Sequence, residues 1–299
     1  MAGTAHTAGG ERPGGIADKI GRIPRRAIFV VIALSVIIPL FLRLVFPIKP
    51  SPIVEHIFDR IEALPPGSRI LLSLDYSPST APENHPMASA VARHALERDC
   101  QLYIMSLWAT GPIQCSLLAD EVIKAEFADK QEGVDWINLG YRAGNQGLIN
   151  AILLDLKAMF NTDAGGRAID QSPMMREVRN LKDMDLIVAI GSGVPGVKEW
   201  VQFAGDRGNI PIAGGVTAVE APLLYPYYPQ QLLGLMGGLQ GAAEYESALI
   251  AKYPRYRETG STAVRLMGPQ AVAHTVIILL VILGNTAYVI ERRRKKGMA

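Results

Sequence analysis

Asp75 closes an apolar run, Ile70-Leu71-Leu72-Ser73-Leu74, and is followed by Ser77, Ser79 and Thr80. A carboxylate at the end of such a run, with hydroxyls directly behind it, has the placement of an acid that orients a ligand or takes a proton from one. Three further stretches offer comparable chemistry. Tyr141, Arg142 and Asn145 supply a guanidinium between polar neighbours. It would pair with a carboxylate or phosphate on a ligand, or with an acid of the chain itself. Gly191-Ser192-Gly193 opens a glycine turn. Its free N–H groups would cradle an anion or a carbonyl oxygen, or the glycines would simply make the bend. Gly215 and Thr217 end another apolar run. These twelve positions form the candidate ligand set, and Asp75 is the one candidate for catalysis.

Gly191, Gly193 and Gly196 fit G-x-G-x-x-G. The dinucleotide form of that motif follows a first strand and needs an acid at the end of the next one. Here it follows the fourth, and the next run ends in Ala213-Gly214-Gly215. Lys198 does not directly follow Gly196, and Glu199 is no Ser or Thr, so this is not a phosphate loop of the Walker type. There is no G-x-S-x-G, and the chain's 5 histidines leave little for a Ser–His or Cys–His engine. Asp75, Glu83 and His85 match no metal spacing. Asn84, His85 and Pro86 read as the cap and turn ahead of a helix from Met87, and His94 as surface or satisfied core. No cofactor and no metal are expected.

The elements that must position these residues alternate. Apolar runs at 69–75, 101–109, 134–140, 186–190 and 210–213 read as strands. Helical patterns at 87–99, 116–130, 148–160, 172–184 and 196–204 separate or follow them. The run 186–190 has no polar break, as in a strand buried on both faces. This rhythm predicts an α/β fold: a Rossmann-like or flavodoxin-like, mainly parallel sheet of five strands or slightly more, with helices on both faces. In such a sheet all strand C-ends share one edge, where ligands bind. Residues 230–253 read as a further helix, dense in glycine. On it Gly234 and Gly238, and likewise Gly237 and Gly241, would share a face. That face serves either packing on the chain's own sheet or association with another subunit. An aromatic, proline-punctuated loop from Tyr225 to Pro229 precedes it. Cys100 and Cys115 bracket the second strand. At ~3.3 Å per residue they are too far apart for a bridge and are expected free.

Hydrophobic residues make up 49% of the chain and charged ones 19%. The apolar excess is concentrated at 27–48 and 271–290, each about the ~20 residues that cross a bilayer. Both flanks are basic: a tail over 1–26 ending in Arg25 and Arg26, and a tail over 291–299 containing Arg292, Arg293 and Arg294. With a net charge of only +2, the middle must be acidic, which argues against nucleic acid as its partner. The positive-inside rule then predicts two transmembrane helices, both termini cytoplasmic, and an extracytoplasmic α/β domain over 50–268, in the cytoplasmic membrane of a prokaryote.

The expected function is that of a non-catalytic ligand-binding, sensing or scaffolding subunit of a membrane complex. Its contacts would be the bilayer, a small anionic or polar ligand, and other membrane proteins or a second copy met through Gly234, Gly238, Gly241 and the 225–229 loop. The rival is a membrane-surface hydrolase or transferase using Asp75, Arg142 and Ser192. The missing nucleophile–base pair weighs against it.

Overall fold

The structure, a computed structural model, describes residues 24–296. Of the expected tails at 1–26 and 291–299, residues 1–23 and 297–299 lie outside these residues. The chain divides into two compact units, Val45–Met267 and a second one formed by the terminal segments.

The Val45–Met267 unit is built on one six-stranded, all-parallel sheet. The strands are β1 (Arg69–Asp75), β2 (Gln101–Ser106), β3 (Trp136–Tyr141), β4 (Leu186–Gly191), β5 (Ile212–Val216) and β6 (Leu235–Gly237). Their order, β3-β2-β1-β4-β5-β6, is the Rossmann arrangement, not the flavodoxin one. The helices are α2 (Pro52–Glu62), α3 (Ala81–Glu97), α4 (Gly111–Leu118), α5 (Asn145–Leu154), α6 (Val197–Glu199), α7 (Ala221–Leu224) and α8 (Gly238–Lys252). Side chains alternate along each strand. Ile70, Leu72 and Leu74 meet α2, α3, α4 and α8 on one face, with Leu102, Ile104, Val188 and Ile190. Leu71, Tyr103, Met105, Ile187 and Ala189 meet α5 and the α6 segment on the other. Each fully buried Leu or Ile contributes roughly 1.5–3 kcal/mol, and with both faces covered the strands read as unbroken apolar runs. His94 is wholly buried among α2, α3 and α8, with Nδ1 2.8 Å from the Tyr245 hydroxyl and Nε2 3.0 Å from Glu62. It is the satisfied core histidine of the two readings. Cys100 and Cys115 are both free and buried.

Three expected elements are corrected. Residues 230–253 do not form one helix. Leu235–Gly237 pairs with β5 as a sixth strand, and the helix starts only at Gly238. Gly234 and Gly237 precede the helix, so neither the pair Gly234 and Gly238 nor the pair Gly237 and Gly241 shares a helical face. Gly234 lets the chain pass the Ile53 carbonyl, where a Cβ would sit 2.4 Å from that oxygen. Gly238 turns from strand to helix at φ +60°, a region costly for other residues. Gly241 packs α8 on the end of β6, where a Cβ would lie 2.8 Å from the Met236 backbone. Residues 172–184 carry only the single turns Pro173–Met175 and Leu181–Asp183. Met174, Met175, Val178, Leu181 and Met184 all pack into the core; their spacing imitates one face of a helix, but the segment is buried as two single turns joined by irregular chain. Finally, α3 begins at Ala81, with the Thr80 carbonyl accepting from the N–H groups of Glu83 and Asn84. Asn84, His85 and Pro86 thus lie inside the helix, not ahead of it.

In the terminal unit, α1 (Arg25–Phe41) has 17 residues and contains Pro39. It is shorter than the 27–48 span expected, because the chain leaves the helix beyond Phe41. The last helix, α9, runs Thr262–Lys296. Its stretch Thr262–Ile290, whose most apolar 18-residue window has mean hydropathy 2.1, is long and apolar enough to cross a membrane. It is the one such helix among the described residues. Gly268 of α9 packs so closely on the carbonyl of Leu44 that a Cβ would overlap it.

Candidate functional site

The strand order reverses between β1 and β4, and the crevice above that pair is where open α/β sheets hold ligands. Asp75 pairs with Gly191 at the top of these two strands. The structure brings Asp75, Ser77, Ser79 and Thr80 together with Gly191, Ser192 and Gly193 at this crest. The Thr80 hydroxyl donates to Ser192 Oγ at 2.9 Å, linking the two loops, and the Ser192 N–H donates to the Asp75 carbonyl at 3.1 Å. The Ser77 and Ser79 hydroxyls bond each other at 2.7 Å.

Asp75 itself is wholly buried. Its Oδ1 accepts from the Leu107 N–H at 2.7 Å; its Oδ2 accepts from Ser73 Oγ at 2.8 Å and Trp200 Nε1 at 2.9 Å. Burial pushes its pKa up to about 6, and the donors around it pull the other way. Both oxygens therefore tie β1 to the end of β2 and to the segment after β4. Neither is presented to a ligand.

The glycine turn is closed by the protein's own groups. The Gly196 N–H, a donor of the kind that would meet an anion, donates to Glu199 Oε2 at 2.8 Å, and Glu199 is buried. The Trp108 ring covers Gly193, where a Cβ would come within 3.3 Å of it, and Trp108 Nε1 donates to the Pro195 carbonyl at 2.7 Å. At Gly196 a Cβ would stand 2.3 Å from the Gly193 carbonyl oxygen. The glycines make a bend that folds on itself.

The other candidates lie elsewhere. Tyr141 ends β3, the edge strand, and Arg142 and Asn145 follow it, with all of β2 between them and Asp75. Arg142 donates to the carbonyls of Tyr141, Met159 and Thr162 and lies 5.3 Å from the Phe160 ring centre, so it holds its own loop. Gly215 is inside β5, not at its tip; a Cβ there would collide with Ile190 and Met87. Thr217 is buried, and its carbonyl accepts from Glu220 and Ala221 at the start of α7.

Sequence reasoning missed the groups that fill the crest and those that ring it. Asn84 Nδ2 donates to the Gly191 carbonyl at 2.8 Å, while its Oδ1 is buried without a partner among the described residues. His85 Nε2, Gln114 Oε1 and Glu220 Oε2 are likewise unpartnered. Burial, with Glu199 nearby, raises the pKa of Glu220. Glu83 accepts from the Ala218 N–H at 2.9 Å and so joins the β5 loop to α3. Outside this filled crevice stand Val194, 74% exposed, Val219, 87%, and Leu223, 71%. Val194 and Val219 sit at matching positions on adjacent loops, each three residues past the paired Gly191 and Val216. Val194, within the Gly193–Gly196 turn, and Val219, in the stretch after β5, were the available signals. Among the described residues no set of three His, Cys, Asp or Glu side chains converges as metal ligands.

Two cavities lie away from the crest. One of about 460 Å³ opens where the chain enters β5 and β6, beside Asp206, Pro211 and Gln231. Another of about 290 Å³ lies against β3, beside Asp120, Lys124, Glu132 and Arg167.

No family model and no curated protein matches the chain. Among solved structures it aligns with a trehalose-6-phosphate synthase, OtsA, at 11% identity and a TM-score of 0.24. The alignment covers 86% of this chain and 48% of that one, so the chain spans about half the length of that enzyme. A superposition at that score carries no inference about fold or activity.

Proposed function

We propose that the chain is a non-catalytic, membrane-tethered scaffolding domain that docks a protein partner of the same membrane through its crest. The observation that carries this reading is the exposure of Val194, Val219 and Leu223, in the loops after β4 and β5 and in α7, beside a crest already closed by Trp108, Glu199 and the Thr80–Ser192 link. Large apolar side chains left exposed on adjacent loops offer a surface for a partner, and each one buried in a partner contributes roughly 1.5–3 kcal/mol. The enzyme alternative loses its base, since both Asp75 oxygens are engaged. Arg142 stands two strands from it.

The tether is α9, joined by α1. Apolar surface continues past the end of α1 through Leu42, Val45 and Phe46, all exposed, which supports a second crossing. Arg25 and Arg26 before the first segment and Arg292 and Arg293 after the second support cytoplasmic termini and a domain outside. The test is a photo-crosslinking residue placed at Val219, at Leu223 or, as control, at the equally exposed Leu154 of α5, in cells. A discrete cross-linked band from the first two positions and none from Leu154 is expected. Equal labelling from all three overturns the reading.

A second reading, a small ligand at the crest, has one observation in its favour. Asn84 Oδ1, Gln114 Oε1 and Glu220 Oε2 are buried oxygens lacking donors, and such groups call for an explanation. They would favour a donor-rich polyol or amine over an anion. Glucose and putrescine are suitable probes: a rise in melting temperature that Asn84→Ala abolishes would support this reading over the first.

A further inference from the structure

α8 carries two buried carboxylates, Glu244 and Glu246, and each grips a different end of the folded unit. Glu244 Oε2 accepts both the N–H and the hydroxyl of Ser51, the residue that leads into α2, while its Oε1 accepts from Gln240 at 3.0 Å. Glu246 Oε2 accepts the Val264 N–H at 2.9 Å. That amide belongs to the first turn of α9, where helix N–H groups have no partner within the helix and a carboxylate is favoured by the helix dipole. The two jaws differ in one respect. Both oxygens of Glu244 are partnered, whereas Glu246 is 0% exposed and its Oε1 has no partner among the described residues.

We propose that α8 is a clasp on the chain segments leading to the two terminal apolar stretches, and that Glu246 is the jaw that opens, freeing the first turn of α9 while Glu244 keeps α2 in place. The buried, half-partnered carboxylate makes this opening proton-dependent. Arg93 of α3 and Arg265 of α9 face Glu246 and favour its charged form. Arg93 is largely engaged by Glu126 at 2.6 and 2.8 Å, and Arg265 donates to the Glu258 carbonyl. Burial outweighs them and raises the Glu246 pKa from 4.5 to about 7. The closed clasp therefore holds the proton more tightly than the open one. Closure is most stable below pH 4.5 and weakens as pH rises toward 7, after which it changes no further. The crest and the clasp share α8, since Gly238 at its start packs on Ala218 of the β5 loop.

The test is hydrogen exchange read by mass spectrometry on the full chain in phospholipid nanodiscs from pH 5 to 8, corrected for intrinsic rates. Opening of the 262–268 peptide should rise by up to about tenfold per pH unit and level off above pH 7. The 51–57 peptide should not change. Glu246→Gln, which keeps an acceptor but not the charge, should give a flat profile for 262–268. A flat wild-type profile overturns the proposal. So does a Glu246→Gln profile as steep as wild type, or the two peptides opening together. Should Glu246→Gln not fold, the two-peptide comparison in wild type still decides.

Discussion

Asp75 shows how a residue with the right address for chemistry becomes a structural bolt. Its three donors come from β1, the end of β2 and the segment after β4. Holding a carboxylate in that position costs the solvation of its charge. Its pKa is consequently about 6 in place of 3.8. The folded chain binds this proton more tightly than the unfolded chain. The stability it contributes is complete below pH 3.8 and is lost as pH rises through 6. Wild type should lose about 2 kcal/mol relative to Asp75→Asn between pH 4.5 and 7.5, measured by urea unfolding. The variant should also leave one donor facing its new amide, an offset of about 1–3 kcal/mol at all pH values. The position of Asp75 at a strand end was legible in the sequence. That Trp200, 125 residues away, occupies its second oxygen was not, because nothing local encodes it. The same holds for Trp108 and the glycine turn.

At the scale of elements, strands buried on both faces declared themselves through uninterrupted apolar runs such as 186–190. The errors fell where burial or glycine content mimicked a helix. In residues 172–184 a methionine-rich segment has the apolar spacing of a helix face but packs as two single turns. In residues 230–253 the glycines serve three separate close approaches, not one face. β6 has only three residues, too short for a period of two to show. The strand-to-helix switch at Gly238 makes a sharp prediction. Gly238→Ala must adopt φ +60° and place a Cβ 2.7 Å from that of Ala218. It should cost about 2–3 kcal/mol. Gly284→Ala in α9 meets nothing within 4 Å and should leave the melting temperature unchanged. Equal effects of the two would contradict the assigned packing.

For the whole molecule, the sequence disclosed a parallel α/β unit between two apolar termini, and the crest as the edge to inspect. It did not disclose that the crest is occupied by the protein's own side chains. What the crest offers outward is apolar: Val194, Val219 and Leu223. The most direct test is therefore the double variant Val194→Asp/Val219→Asp, solubilised from native membranes beside wild type. Surface changes of this kind leave stability within about 0.5 kcal/mol, so the melting curves should coincide. Wild type should then carry a stoichiometric protein partner through native mass spectrometry, and the double variant should not. A partner retained by both, or a wild-type chain that runs alone under the mildest solubilisation, would contradict a docking role for the crest.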